Sequence, residues 1–144
     1  MWHWKRRKLD EFRRSELHYA ARDGNSEKAR SELAAGADVN AADANGWTPL
    51  HFAAQAQSAP VVRLLLERGA DVDVLDAHGN SALWRAVFAY KDDSATIEAL
   101  RAAGADPLRK NQHGVSPLAL ARTIANYDVA RCFADFPADA ADAT

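Results

Sequence analysis

Gly36-Ala37-Asp38-Val39-Asn40 returns as Gly69-Ala70-Asp71-Val72-Asp73 and again as Gly104-Ala105-Asp106-Pro107. The steps, 36 to 69 and 69 to 104, are 33 and 35 residues. A period in this range is the signature of stacked repeats and outranks any local reading. Two further series keep the same register. Asp43-Ala44-Asn45-Gly46 is followed by Asp76-Ala77-His78-Gly79 and Asn111-Gln112-His113-Gly114. Ser15-Glu16-Leu17-His18 is followed by Thr48-Pro49-Leu50-His51, Ser81-Ala82-Leu83-Trp84 and Ser116-Pro117-Leu118-Ala119.

Each series has a mechanical meaning. Asp or Asn first and Gly fourth is a type I turn signature. Ser or Thr followed by Pro starts a helix, because the hydroxyl caps free amides and proline at the first helical position loses no hydrogen bond. A short helix is expected from Leu50 to Ala54, then a second from Val61 to Arg68 with the larger apolar residues. Gly69 stops it, since glycine accepts the left-handed conformation beyond a helix end. The unit is turn, short helix, longer helix and return.

With these motifs the chain resembles ankyrin repeat proteins, most closely in Gly46-Trp47-Thr48-Pro49-Leu50-His51-Phe52-Ala53-Ala54 and Leu64-Leu65-Leu66-Glu67-Arg68-Gly69-Ala70-Asp71-Val72. The resemblance spans about residues 10 to 136 and implies an all-α repeat solenoid of helix-turn-helix units with β-hairpin-like turns. Four repeats are expected at 10–42, 43–75, 76–110 and 111–136, within a domain of residues 15–136. Asp10 aligns with Asp43, Asp76 and Asn111, but Arg13 replaces the turn glycine. The first unit is therefore expected to cap the stack without a leading hairpin. Repeat four lacks a closing Gly-Ala-Asp, and residues 137–144 read as a disordered tail.

Composition agrees with close stacking. Hydrophobic residues are 48% of 144, yet 32 are alanine and only 28 are Leu, Ile, Val or Phe. A net charge of −2 argues against self-repelling disorder. One cysteine, Cys132, excludes an internal disulfide framework and a cysteine zinc cluster, and favours a reducing compartment. No run approaches the roughly 20 apolar residues of a membrane span, and the basic start lacks the apolar stretch of a signal peptide. A cytoplasmic location is the expectation.

Chemistry-bearing motifs are absent from the sequence. There is no phosphate loop, no zinc-protease helix motif and no serine elbow, so no catalysis and no cofactor are expected. Cys132 beside Phe133 reads as an inert core-facing thiol. His18 and His51 occupy the family's helix-start position and should bond neighbouring turns. His78 and His113 fall on turns of adjacent repeats, on the order of 10 Å apart, too far for one metal ion.

In the family, partners lie against the concave side formed by turn tips and the inner faces of the first helices. Carried over residue by residue, the tips are Ala44, Asn45, Trp47, Ala77, His78, Asn80, Gln112, His113 and Val115. The inner positions are Arg22, Asp23, Gln55, Ala56, Phe88, Ala89, Thr123 and Ile124. Trp47 and Phe88 are the expected aromatic anchors; the other reading of Trp47 is packing flat over the adjacent turn. Two residues inserted in Tyr90-Lys91-Asp92-Asp93 lengthen a loop and add Tyr90 as a contact candidate. Trp84 stands where His18 and His51 stand, followed by an unusual Arg85.

The expected function is non-catalytic binding of a partner protein, as an adaptor, inhibitor or immunity-type protein that is a monomer alone. The alternative uses the N-terminal extension, residues 1–14, with a local charge of +4 (six basic, two acidic). There Trp2, Trp4, Lys5, Arg6, Arg7 and Lys8 suit nucleic acid or an anionic membrane, or dock a partner or second copy. Against it, the rest of the chain carries −6.

Overall fold

The computed structural model describes residues 9–124 and 128–137. Trp2, Trp4, the basic run Lys5 to Lys8 and residues 138–144 of the expected tail lie outside the described residues.

Seven α-helices follow the period: α1 Glu16–Arg22, α2 Ser26–Ala34, α3 Pro49–Gln55, α4 Ala59–Glu67, α5 Ala82–Phe88, α6 Ala95–Ala102 and α7 Pro117–Thr123. A 3₁₀ helix, Val129–Phe133, takes the place of the eighth. No strand occurs among the described residues. The odd-numbered helices pack in succession as one layer, and α2, α4 and α6 as the other.

Isolated helices of seven residues are unstable in water, so capping and burial must hold them. The hydroxyls of Ser15, Thr48, Ser81 and Ser116 each accept the backbone N–H three residues on. Leu17, Leu50, Leu83 and Leu118, one per repeat, are at most 1% exposed. Between them Ala20, Ala21, Ala53, Ala54, Ala86 and Ala121 are sealed and let the backbones approach closely. Val61, Val62, Leu64 and Leu65 of α4 supply the thicker part of the core.

The tips repeat one hydrogen-bond pattern. Oδ1 of Asp43 accepts from the amides of Asn45 and Trp47, each at 2.9 Å. Asp76 does the same with His78 and Asn80, and Asn111 with His113 and Val115. Successive tips join through the backbone: Ala77 N–H donates to Asn45 O at 2.9 Å and Gln112 N–H to His78 O at 3.0 Å. This closeness explains Gly46, whose φ is +78° and where an added Cβ would meet the Ala77 nitrogen at 2.9 Å.

The first unit differs from expectation. Arg13 adopts the left-handed conformation, φ 61°, and the glycine-type turn forms without glycine. Asp10 accepts from Phe12 and Arg14, and Phe12 O receives the Ala44 N–H at 2.7 Å. Repeat one thus carries the leading turn that a capping unit was expected to lack. Holding a side chain in this region costs about 1 kcal/mol or more, so Arg13→Gly is expected to raise stability by up to about 1 kcal/mol. Urea midpoints of the two proteins check this; an unchanged or lower midpoint would show that Arg13 is not strained.

At the far end the shortened repeat is tied down by arginines. Arg101 of α6 donates to both carboxylate oxygens of Asp135, at 2.9 and 2.7 Å, and to Cys132 O at 2.7 Å. Its guanidinium also lies over the rings of Phe133 and Phe136. Arg122 holds Pro137 O at 2.7 Å.

Candidate functional site

Two buried histidines set the frame. The backbone N–H of Thr48 donates to His51 Nδ1 at 3.1 Å, and His51 Nε2 reaches Asn80 O of the next repeat at 2.9 Å. Nδ1 must then be unprotonated and Nε2 must carry the hydrogen, which makes the ring neutral. His18 repeats this with Ser15, Ala41 O and Trp47 O. Burial lowers the affinity of both rings for a second proton, against the opposing pull of the carbonyls they bond. The structural role read for both residues is the one observed.

Beside this frame lies a row of rings and cations. Trp47 packs on Phe52 with centroids 4.8 Å apart. The Arg85 guanidinium lies 4.4 Å over Trp47, and that of Arg14 5.2 Å from Phe52. Arg85 and Arg14 in turn pair with Asp76 and Asp43 at 2.9 and 3.1 Å. A cleft of about 320 Å³ opens there, lined by Arg14, Asn45, Trp47, Phe52, His78 and Arg85.

One repeat further, Phe88 is 55% exposed. It stacks on Trp84 four residues earlier, with centroids 5.5 Å apart and planes 12° from parallel. Trp84 cannot copy the histidine bond to the next repeat, and its buried indole N–H has no partner among the described residues. Gln55 of the neighbouring inner helix likewise has a buried Oε1 without a partner among the described residues.

The expected contact residues divide. Asn45, His78, Gln112, His113, Arg22, Asp23 and Phe88 are exposed. Arg22 and Asp23 pair with each other at 3.0 Å, and Gln112 is partly spent on Ala77 O. Asn80 and Tyr90 are corrected: they are 5% and 4% exposed. Asn80 is enclosed because its carbonyl accepts from His51 and its side-chain oxygen from Asn111 Nδ2 at 2.8 Å. Tyr90 joins the core beneath the lengthened loop and bonds Arg131. Trp47 is half-buried, its ring tilted against His51 and Phe52 of its own repeat rather than flat over the adjacent turn. Sequence reasoning missed Arg14 and Phe52; for Arg85 the only signal was its departure from the repeat pattern.

Among the described residues, no three His, Cys, Asp or Glu side chains are grouped to hold a metal ion. Burial pushes the Cys132 thiol up, away from the thiolate a nucleophile needs. No helix among the described residues is long and apolar enough to cross a membrane.

Paired short helices, capped by Ser/Thr, stacked in two layers and linked by tip turns, define an α-helical repeat solenoid. A family model of ankyrin repeats in three copies matches residues 17–111, well over half of the chain. The chain belongs to the ankyrin repeat family. Ankyrin repeats are generally protein–protein interaction modules, and the family is typically non-catalytic. No curated protein matches the chain.

Proposed function

We propose that this protein is a non-catalytic binding module that holds a partner protein against its concave face, in the manner of an inhibitor or immunity-type protein. The observation that carries the reading is Phe88. More than half of a large apolar side chain is presented to solvent near the middle of the inner-helix row. It is also immobilised by stacking on Trp84. A rigid exposed aromatic at the centre of a concave surface is the usual form of an interface anchor. Asn45, His78, Gln112 and His113 supply exposed polar groups on the tip turns that lead into the inner helices. The cytoplasm is the compartment this reading assumes.

The test is a partner affinity. After a partner is identified by pulldown from the source cells, titration calorimetry with Phe88→Ala is expected to show binding weakened by about 2 kcal/mol, roughly 30-fold. Circular dichroism should be unchanged, because Phe88 contributes little to the core. Equal affinity in the two proteins would remove the concave-face reading. The alternative, nucleic acid or anionic membrane on the basic arm, draws on residues 1–8, outside the described ones.

A further inference from the structure

Arg14 and Arg85 are fixed from behind and open in front. In Asp43 and Asp76, Oδ1 is consumed by two backbone amides of the tip turn, and Oδ2 receives the arginine. Both carboxylate side chains are fully enclosed, while Arg14 and Arg85 keep 22% and 15% of their surface. The aspartates use Nε of Arg14, and Nε and Nη2 of Arg85. A guanidinium has five N–H donors. Both Nη groups of Arg14 and the Nη1 group of Arg85 therefore have no acceptor among the described residues.

Both arginines line the cleft described above. The four formal charges cancel in sum, but the negative ones lie behind the positive ones, so the cleft presents guanidinium edges. The two cations bracket the Phe52–Trp47 pair, one on each ring. Aromatic faces and enclosure strip water from the guanidiniums and strengthen any bond to an anion placed there. A planar fork of paired N–H groups matches a carboxylate, and held rotamers lose little freedom when they bind one.

We propose that this cleft is an acidic subsite of the concave face. It takes Asp or Glu carboxylates of an extended partner segment, at Arg14 and at Arg85, with the apolar part of the segment lying on Trp47. This rests on the protein-binding reading and names the chemistry of the partner. In an extended chain, side chains two residues apart share a face and stand roughly 7 Å from each other. A Glu-x-Glu segment places two carboxylates on the cleft side.

The probe is the acetylated, amidated peptide Ser-Glu-Leu-Glu-Ser, titrated into the ¹⁵N-labelled full chain and followed by NMR. Its twin with both Glu replaced by Gln, and inorganic phosphate, are the comparisons. The Glu peptide is expected to move the Nε–Hε signals of Arg14 and Arg85 and the Trp47 indole signal, and to bind at least about ten-fold tighter than the Gln peptide. Arg14→Lys and Arg85→Lys keep a charge beside the enclosed aspartates but lose the fork. Each is expected to weaken the Glu peptide about ten-fold. The proposal is overturned by equal binding of the two peptides, by shifts confined to other surfaces, by phosphate binding more tightly than the Glu peptide, or by no binding at all. If a lysine variant fails to fold, the comparison of peptides on the unaltered chain decides alone. If Phe88→Ala weakens the partner while the Glu peptide fails, only the acidic subsite falls. If the Glu peptide binds as described while the partner ignores Phe88→Ala, the acidic subsite stands and the Phe88-anchored concave-face reading falls.

Discussion

Arg85→Ala is expected to destabilise the protein by about 3 kcal/mol, a large share of the stability of a domain this size. The loss comes less from the ion pair than from what it leaves behind. Asp76 has no exposed side-chain surface and sits on the seam between two tip turns. Burial pushes its carboxyl up, but the Arg85 hydrogen bond and the amides of Asn80 and His78 outweigh that, so it stays below the usual carboxylate range. Without the guanidinium, burial is opposed by the amides alone. Trp47 loses the cation resting on it at the same time. Arg85→Lys restores a charge but not the two-point contact with Oδ2, and should recover part of the loss. Urea denaturation of the three proteins checks this; a loss below about 1 kcal/mol in Arg85→Ala would show that water replaces the arginine without strain.

The second large effect is on His51. His51→Ala is expected to cost about 3 kcal/mol, because it opens a cavity, orphans the Thr48 amide and leaves the Asn80 carbonyl with only the Asp76 N–H of its two donors. The same ring predicts a pH dependence. Its affinity for a second proton is lowered in the folded chain, chiefly by burial, and so is that of His18. Unfolded, each ring takes a proton near 6.5. Their contribution is therefore complete above pH 6.5 and declines as the pH falls below it, at up to about 1.4 kcal/mol per unit for each ring. The decline ends when the folded rings accept protons themselves. Urea midpoints between pH 7.5 and 5 should show this slope, and His51→Ala should reduce it. A flat profile, or one rising on acidification, would contradict the neutral assignment of the rings.

Most of the architecture was legible because its determinants are local. The reading of a short helix from Leu50 to Ala54 meets an observed Pro49–Gln55, and Val61 to Arg68 meets Ala59–Glu67. Cap, proline and glycine signals act within a few residues of where they stand. What was not legible depends on the neighbouring repeat. Asn80 looked like a tip residue, and its enclosure follows from His51 and Asn111, 29 and 31 residues away. The same holds for Arg14, whose partner Asp43 lies 29 residues on. Arg13 misled for another reason: a missing glycine was read as a missing turn. The contacts of Asp10 and Ala44 over-determine the conformation and hold a side chain where glycine is easier.

Trp84 divides the stack into two kinds of joint. The first two junctions are each closed by an interior imidazole, His18 and His51, sealed from solvent and dependent on staying uncharged. The third has no imidazole; its side-chain ties include the Asn111–Asn80 amide contact and the Arg101–Asp135 ion pair, whose aspartate is 61% exposed. Acid in the imidazole range therefore acts on the first two junctions before the third. Mild acidification loosens the half bearing Trp47 and its arginines before the half beyond Phe88, where Arg101 holds the Asp135 carboxyl below the usual carboxylate range.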